Sequence, residues 1–244
     1  MNRVFLSCAL LLAFMFVRAQ GRPELSNGDE IVNAYLEAIG GVENWQSLTS
    51  TRMEVSISQM GMEMPGVITQ APPNKQRIEI NTMGKLVVQV YDGETAWMIN
   101  PSMGAAEAQL MPAEMAERFS RQSYENDFIN FAEKGYSIDY LGQKYVEGVS
   151  CYELKMTDED GIVSFSYFDS QTSLLIMQKT YVTDGPQAGQ EVKTYFSEFE
   201  EISGLWIPTF TESKTADTTQ FSIRINKVEY NLEISDNTFT FPED

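Results

Sequence analysis

Residues 76–99 read QRIEINTMGKLVVQVYDGETAWMI, and their apolar residues recur with a period of two. Ile78 and Ile80 alternate with Arg77 and Glu79, a second run follows from Leu86 to Tyr91, and a third from Thr95 to Ile99. Asp92-Gly93 between the last two runs is a strong hairpin signal, because tight turns of this kind need positive φ. Working upstream, Met53, Val55 and Ile57 alternate with Glu54, Ser56 and Ser58; Gly61 to Pro65 turns the chain, and Val67 to Gln70 returns it ahead of Pro72-Pro73. These five predicted strands have no long helix between them. Parallel pairing needs a long crossover, so the sheet is expected to be an antiparallel meander.

Downstream, the alternation breaks between Pro101 and Gly135. Pro112 fits the first position of a helix in which Met115 and Phe119 form an apolar i, i+4 pair, and a second short helix is expected over Asp127–Lys134 with Phe128, Ile129 and Phe131. Met98, Met103, Met111 and Met115 crowd this region; thioethers suit a surface that repacks around variable apolar partners, and they fill ordinary cores equally well. Alternation then resumes over Tyr136–Val146, Ser150–Met156, Ile162–Asp169, Leu174–Thr183, Glu191–Glu200, Trp206–Ser213 and Thr218–Glu229. The fold class is mainly β with a few helices, of about 11–12 strands. One amphipathic helix precedes them, with Ser26 and Asp29 in a capping pattern, Ile31, Tyr35, Ala38 and Ile39 on one stripe, and Gly40-Gly41 at its end. That stripe must be buried against the sheet.

Residues 1–20 read as a signal peptide: Arg3 supplies the charge, Val4 to Val17 the apolar core, and cleavage is expected near Ala19 or Gln20. Cys8 lies inside the apolar core rather than at the cleavage point, so a soluble exported product is expected, with residues 21–244 as one domain. Cys151 is then the sole cysteine, and a small half-buried strand residue is a better reading of it than a nucleophile.

The 244 residues carry 17 Lys plus Arg against 35 Asp plus Glu, a formal charge of −18 that repels nucleic acid. There is no histidine, which removes the commonest general base, Ser and Cys triads and most zinc sites. No phosphate-cradling loop is present. Asp158-Glu159-Asp160-Gly161 lacks the spacing of a calcium loop and reads as a hairpin tip. Glu198 and Glu200 share one strand face, as residues on a solvated face do. Neither a catalytic residue, a metal site nor a cofactor is therefore assigned. Tyr91, Trp97, Tyr152, Phe165, Tyr167, Phe168, Tyr195, Phe196, Phe199, Trp206 and Phe221 put apolar surface on both faces of the sheet. A cavity arises where a nearly closed sheet is only partly plugged, and a fully packed core is the alternative.

The run Tyr91-Asp92-Gly93-Glu94-Thr95-Ala96-Trp97-Met98-Ile99-Asn100-Pro101 resembles the hairpin of the LolA/LolB-like outer-membrane lipoprotein carriers, in which an Asp-Gly turn precedes a tryptophan strand ending in Asn-Pro. Tyr35 with Gly40-Gly41, Gln70-Ala71-Pro72-Pro73-Asn74, Gly148 to Leu154, Phe168-Asp169 with Thr172, and the ending Ile234-Ser235-Asp236 to Pro242 carry the resemblance across the chain. It implies a half-open antiparallel β-barrel with a helical lid, a periplasmic location, and a cavity for lipid or lipoprotein acyl chains, with inner- or outer-membrane sorting components as partners. The residues expected to face that cavity are Met53, Val55, Ile57, Ile78, Ile80, Val88, Val90, Trp97, Leu154, Phe165, Phe196, Phe221 and Ile223; those expected in the lid are Met111, Met115, Phe119 and Phe128. A non-catalytic envelope scaffold is the alternative. The carriers place a lid-latching Arg immediately before Pro-Asn, where this chain has Pro72; Arg77 and Arg52 are the nearest basic residues in sequence.

Overall fold

The structure is a computed structural model, and it describes residues 24–183 and 185–242. The expected signal peptide lies outside them.

Helix α1 (Gly28–Ala38) is capped one residue later than the pattern at Ser26 suggests. The Asn27 side chain accepts from the Glu30 N–H at 2.9 Å, and the Glu30 carboxylate reaches back to the Ser26 N–H. The first bond satisfies one of the helix's free donors, and the second, in the manner of a capping box, fixes the residue ahead of the cap. Gly40 ends the helix at φ 111°, and a Cβ there would collide with the Gly204 carbonyl. The short α2 (Val42–Gln46) follows.

Six strands then run as a meander: β1 (Thr51–Gln59), β2 (Met62–Ala71), β3 (Lys75–Thr82), β4 (Lys85–Tyr91), β5 (Ala96–Asn100) and β6 (Ala105–Leu110). Helix α3 (Ala113–Ser120) comes next, with Pro112 as its N-cap. A second meander comprises β7 (Ser137–Val146), β8 (Val149–Thr157), β9 (Val163–Asp169), β10 (Leu175–Tyr181), β11 (Glu191–Ile202), β12 (Leu205–Thr215) and β13 (Thr218–Tyr230). All pairings are antiparallel, and the first and last strands join the meanders: the order is β6-β5-β4-β3-β2-β1-β13-β12-β11-β10-β9-β8-β7. The 13-stranded sheet is open, with β6 and β7 as its edges, and the segment from Met111 to Tyr136 travels from one edge to the other.

Two local expectations fail. Residues 105–110 form an edge strand, although Ala-Ala-Glu-Ala-Gln-Leu contains no β-branched or aromatic residue; pairing of Leu110 with Trp97 and Gln109 with Met98 supplies what propensity does not. Residues 127–134 form a series of turns instead of a helix. Asn130 is at φ 52°, and Asn126 takes the Phe128 N–H on its side chain and the Lys134 ammonium on its carbonyl. Those bonds compete with the helical pattern.

The helices and the crossing segment cover one face of the sheet, called inner here. At one end, Ile31, Val32, Tyr35, Leu36 and Ile39 of α1 pack with Tyr152, Leu154 and Met156 of β8 and Phe168 of β9. At the other, Phe119 and Met115 of α3 and the adjacent Met111 pack on Tyr91, Ala96 and Met98. The outer face carries its own apolar clusters. Val88, Val90 and Trp97 lie under the C-terminal tail with Phe239, Ile234 and Phe241, while Val146, Cys151, Tyr167 and Met177 pack together on the second meander.

Candidate functional site: a roofed apolar chamber

Between the two helix-covered ends, the middle strands are left open, and a chamber of about 690 Å³ lies over them. Its floor is the seam of the two meanders: Met53 of β1, Ile225, Val228 and Tyr230 of β13, and Ile207 and Thr211 of β12. Its roof is Trp45, Gln46 and Leu48 from α2 and beyond, with Ser123–Asn126 and Ile129 of the crossing segment. Gln70, Pro72 and Pro73 close one end, and Glu125 is the one charged residue among the described residues that line it. The volume falls within the range of small-molecule sites.

Specific polar bonds hold the roof down. The hydroxyls of Tyr124 and Thr51 are 3.0 Å apart, which ties the crossing segment to β1. Gln46 donates to Glu125 at 3.1 Å, Lys134 meets the same carboxylate at 2.8 Å, and Asn126 donates to the Tyr35 hydroxyl at 2.9 Å. Trp45 Nε1 donates to the Ile39 carbonyl at 3.0 Å. Burial pushes the Tyr35 and Tyr230 phenols up to about 12 and that of Tyr124 in the same direction, so all three stay neutral at physiological pH. Burial favours the neutral form of Glu125 too, yet the bonds from Lys134 and Gln46 outweigh it and hold the carboxyl below its ordinary range. The roof thus carries a paired carboxylate and the neutral hydroxyl of Tyr124, over a mostly apolar floor that includes the neutral Tyr230. Beyond Ser123–Asn126 lies a more polar cavity of about 560 Å³, whose walls include Gln122, Asp127, Gln178 and Phe128.

Of the residues expected to face a cavity, Met53 lines the chamber. Register sets the rest. Met53 opposes Ile68, which opposes Ile78, which opposes Gln89, and this row shares the inner face with Val55, Ile57 and Ile80. Phe221, Ile223 and Phe196 follow on the same face through their pairing with Gln59, Ile57 and Thr211. Leu154 is inner but buried beneath α1, and Ile78 packs beside α3. Val88, Val90 and Trp97 point the other way, since their neighbours Gln89, Tyr91 and Met98 take the inner face; Trp97 Nε1 donates to the Phe239 carbonyl at 2.9 Å. Phe165 is outer as well, opposite Lys155 and Lys179. Among the lid residues, Met111, Met115 and Phe119 pack on β4 and β5, and Phe128 packs against α1. Trp45, Leu48, Tyr124, Ile207 and Val228 escape the sequence reading. On β13 the reason is a bulge opposite Glu54/Val55 that leaves Asn226 without a register partner and shifts the alternation.

Among the described residues, neither arginine expected near the missing latch bonds to the roof. Arg77 is on the outer face, donating to the Thr238 carbonyl at 3.1 Å and pairing with Glu79, and Arg52 lies 3.9 Å from Glu229. The Tyr124–Thr51 bond fastens the roof in their place. Cys151 is fully buried and its thiol is raised to about 11 by burial, so it is not primed as a nucleophile. Asp158 accepts the Asp160 and Ile162 N–H groups, which makes 158–161 a hairpin tip, and Glu198 is held by Arg224.

An open antiparallel sheet with one helix-covered face and a chamber above its middle strands defines the LolA-like fold. Among solved structures, a DUF1329 family protein from Desulfovibrio piger matches with a TM-score of 0.58 and 16% identity over 87% of this chain and 96% of that one. A LolA superfamily protein from Nitrosomonas europaea matches with a TM-score of 0.58 and 12% identity over 88% and 98%. A domain from Vibrio parahaemolyticus described as a candidate outer membrane lipoprotein-sorting protein matches with 0.58 and 11% over 87% and 95%. Identities this low establish the fold alone. A family model whose description reads "-like: Uncharacterized protein" matches residues 79–242, and the chain belongs to that family. A comparison with curated proteins gives no match.

Proposed function

We propose that this protein is a periplasmic carrier that binds an apolar ligand, a lipid or the acyl chains of a lipoprotein, in the chamber over the β1–β13 seam. The chamber itself carries the reading: about 690 Å³ walled by Met53, Leu48, Ile129, Ile207, Ile225 and Val228 is space that the chain's own side chains leave open. A concave, mostly apolar space of this size is what a small apolar ligand needs. Tyr124 and the paired Glu125 in the roof and Tyr230 in the floor offer hydrogen-bonding groups for a polar end while the chains occupy the apolar part of the floor. The structural relatives, one described as a LolA superfamily protein and another as a lipoprotein-sorting candidate, support the same reading.

The test is a titration with a fluorescent acyl-chain probe. The wild-type protein binds it saturably, with a rise in melting temperature that grows with ligand concentration. Val228→Trp fills the floor and loses binding at least about tenfold while remaining folded by circular dichroism. Equal binding by both proteins would place the ligand elsewhere, and absence of binding by the wild type would leave the chain an exported scaffold.

A further inference from the structure

Hairpins β1–β2, β3–β4 and β5–β6 all turn at one rim of the sheet, because antiparallel neighbours alternate in direction. Each tip exposes a methionine: Met60 is 90% exposed, Met83 83% and Met103 66%, and Met62 and Leu86 are exposed beside them. Turn chemistry does not ask for methionine. Met60-Gly61 and Met83-Gly84 are two-residue loops with positive φ at both positions, 50° and 74° in one and 52° and 77° in the other. Asn or Asp is the favoured first residue of such turns, and an unbranched side chain without a local hydrogen bond is disfavoured there. Packing does not ask for it either, at these exposures.

The charge distribution is as uneven. In a chain of formal charge −18, the tips spanning residues 59–62, 82–86 and 100–105 contain neither Asp nor Glu and carry one charge, Lys85; the nearest acid is the exposed Glu63, directly after the first tip. The same rim on the other meander carries Asp158, Glu159 and Asp160 in the β8–β9 turn and Asp217 in the β12–β13 turn. One half of the rim is therefore apolar and nearly neutral, and the other half is acidic.

We propose that the three methionine tips dock this protein on the interface of a lipid bilayer, with the acidic half of the rim turned away from it. Flexible thioethers inserted singly suit a fluid apolar phase, and the missing acids remove the repulsion that the rest of the chain would meet at a phosphate surface. The half-buried Ile57, Phe221 and Ile223 lie on the inner face just behind this rim, between it and the chamber.

Flotation of the full chain with phosphatidylcholine vesicles tests the docking without reference to any cargo. The wild type floats with the vesicles, and the variant Met60→Asn/Met83→Asn/Met103→Ser partitions at least about tenfold more weakly. Its melting temperature is unchanged or higher, because Asn fits the left-handed turn position better than Met, and its affinity for a soluble acyl probe is that of the wild type. Addition of phosphatidylglycerol weakens flotation. Docking is overturned if the wild type stays at the bottom of the gradient, if the variant floats equally well, or if anionic lipid strengthens binding. Loss of acyl-probe binding by the wild type would remove the cargo reading and leave the docking result as it stands.

Discussion

Tyr124 is where the roof is fastened, and its effect can be isolated at a single oxygen. Tyr124→Phe removes the bond to Thr51 without changing the ring, so stability should fall by about 0.5–1.5 kcal/mol and the acyl probe should dissociate faster. An unchanged off-rate in stopped-flow displacement would show that the roof is held elsewhere. Glu125 gives the roof a pH dependence of definite sign. Its folded-state pKa is depressed below 4.5, so its contribution is present above the ordinary carboxylate range and is lost as pH falls through the lower, folded value. Acid titration of probe release should therefore show a component near or below pH 4.5 in the wild type, and Glu125→Gln should lack it. Cys151, buried and with its thiol raised, should resist a maleimide in the native protein and react once it is unfolded. Native labelling at the unfolded rate would mean that the outer face opens there.

At the scale of elements, the C-terminal tail acts as a cover for the outer face of β4 and β5. Phe239 is buried on Val88, Val90 and Trp97, so Phe239→Ala should cost about 3–5 kcal/mol, measured by urea unfolding. A cost typical of a surface residue would show that the tail is dispensable. The same contact explains what the sequence discloses and what it hides. A strand such as β3 is legible because Arg77 and Glu79 interrupt the isoleucines, and twelve of the 13 strands are expected from such runs or from the turns that bound them. Which parity faces inward is not legible: Val88, Val90 and Trp97 are as apolar as Met53 and Ile57, and the tail that buries them comes 142 residues after Trp97. The roof is hidden for a related reason. Ser123, Tyr124, Glu125 and Asn126 have no periodicity, and the bonds that tie Tyr124, Glu125 and Asn126 to other elements go to Thr51, Gln46 and Tyr35, far away in the chain.

At the scale of the molecule, the fold leaves its middle strands to the short α2 and the crossing segment. The chain begins its sheet in the centre at β1, runs outward to β6, crosses to the far edge at β7 and returns to β1 through β13. Helices α1 and α3 then cover opposite ends of the inner face, and among the described residues the crossing segment and α2 span the seam. A roof that stands off most of its floor and is tied to it at Thr51 encloses a chamber, and the apolar residues along Met53, Ile225 and Val228 make it one for hydrocarbon. The most direct measurement is a crystal of the protein soaked with a fatty acid brominated along its chain. Anomalous bromine density between Met53, Val228 and Ile129 is the predicted result. A wild-type crystal in which that density is absent, or appears only outside the roof, would contradict the account.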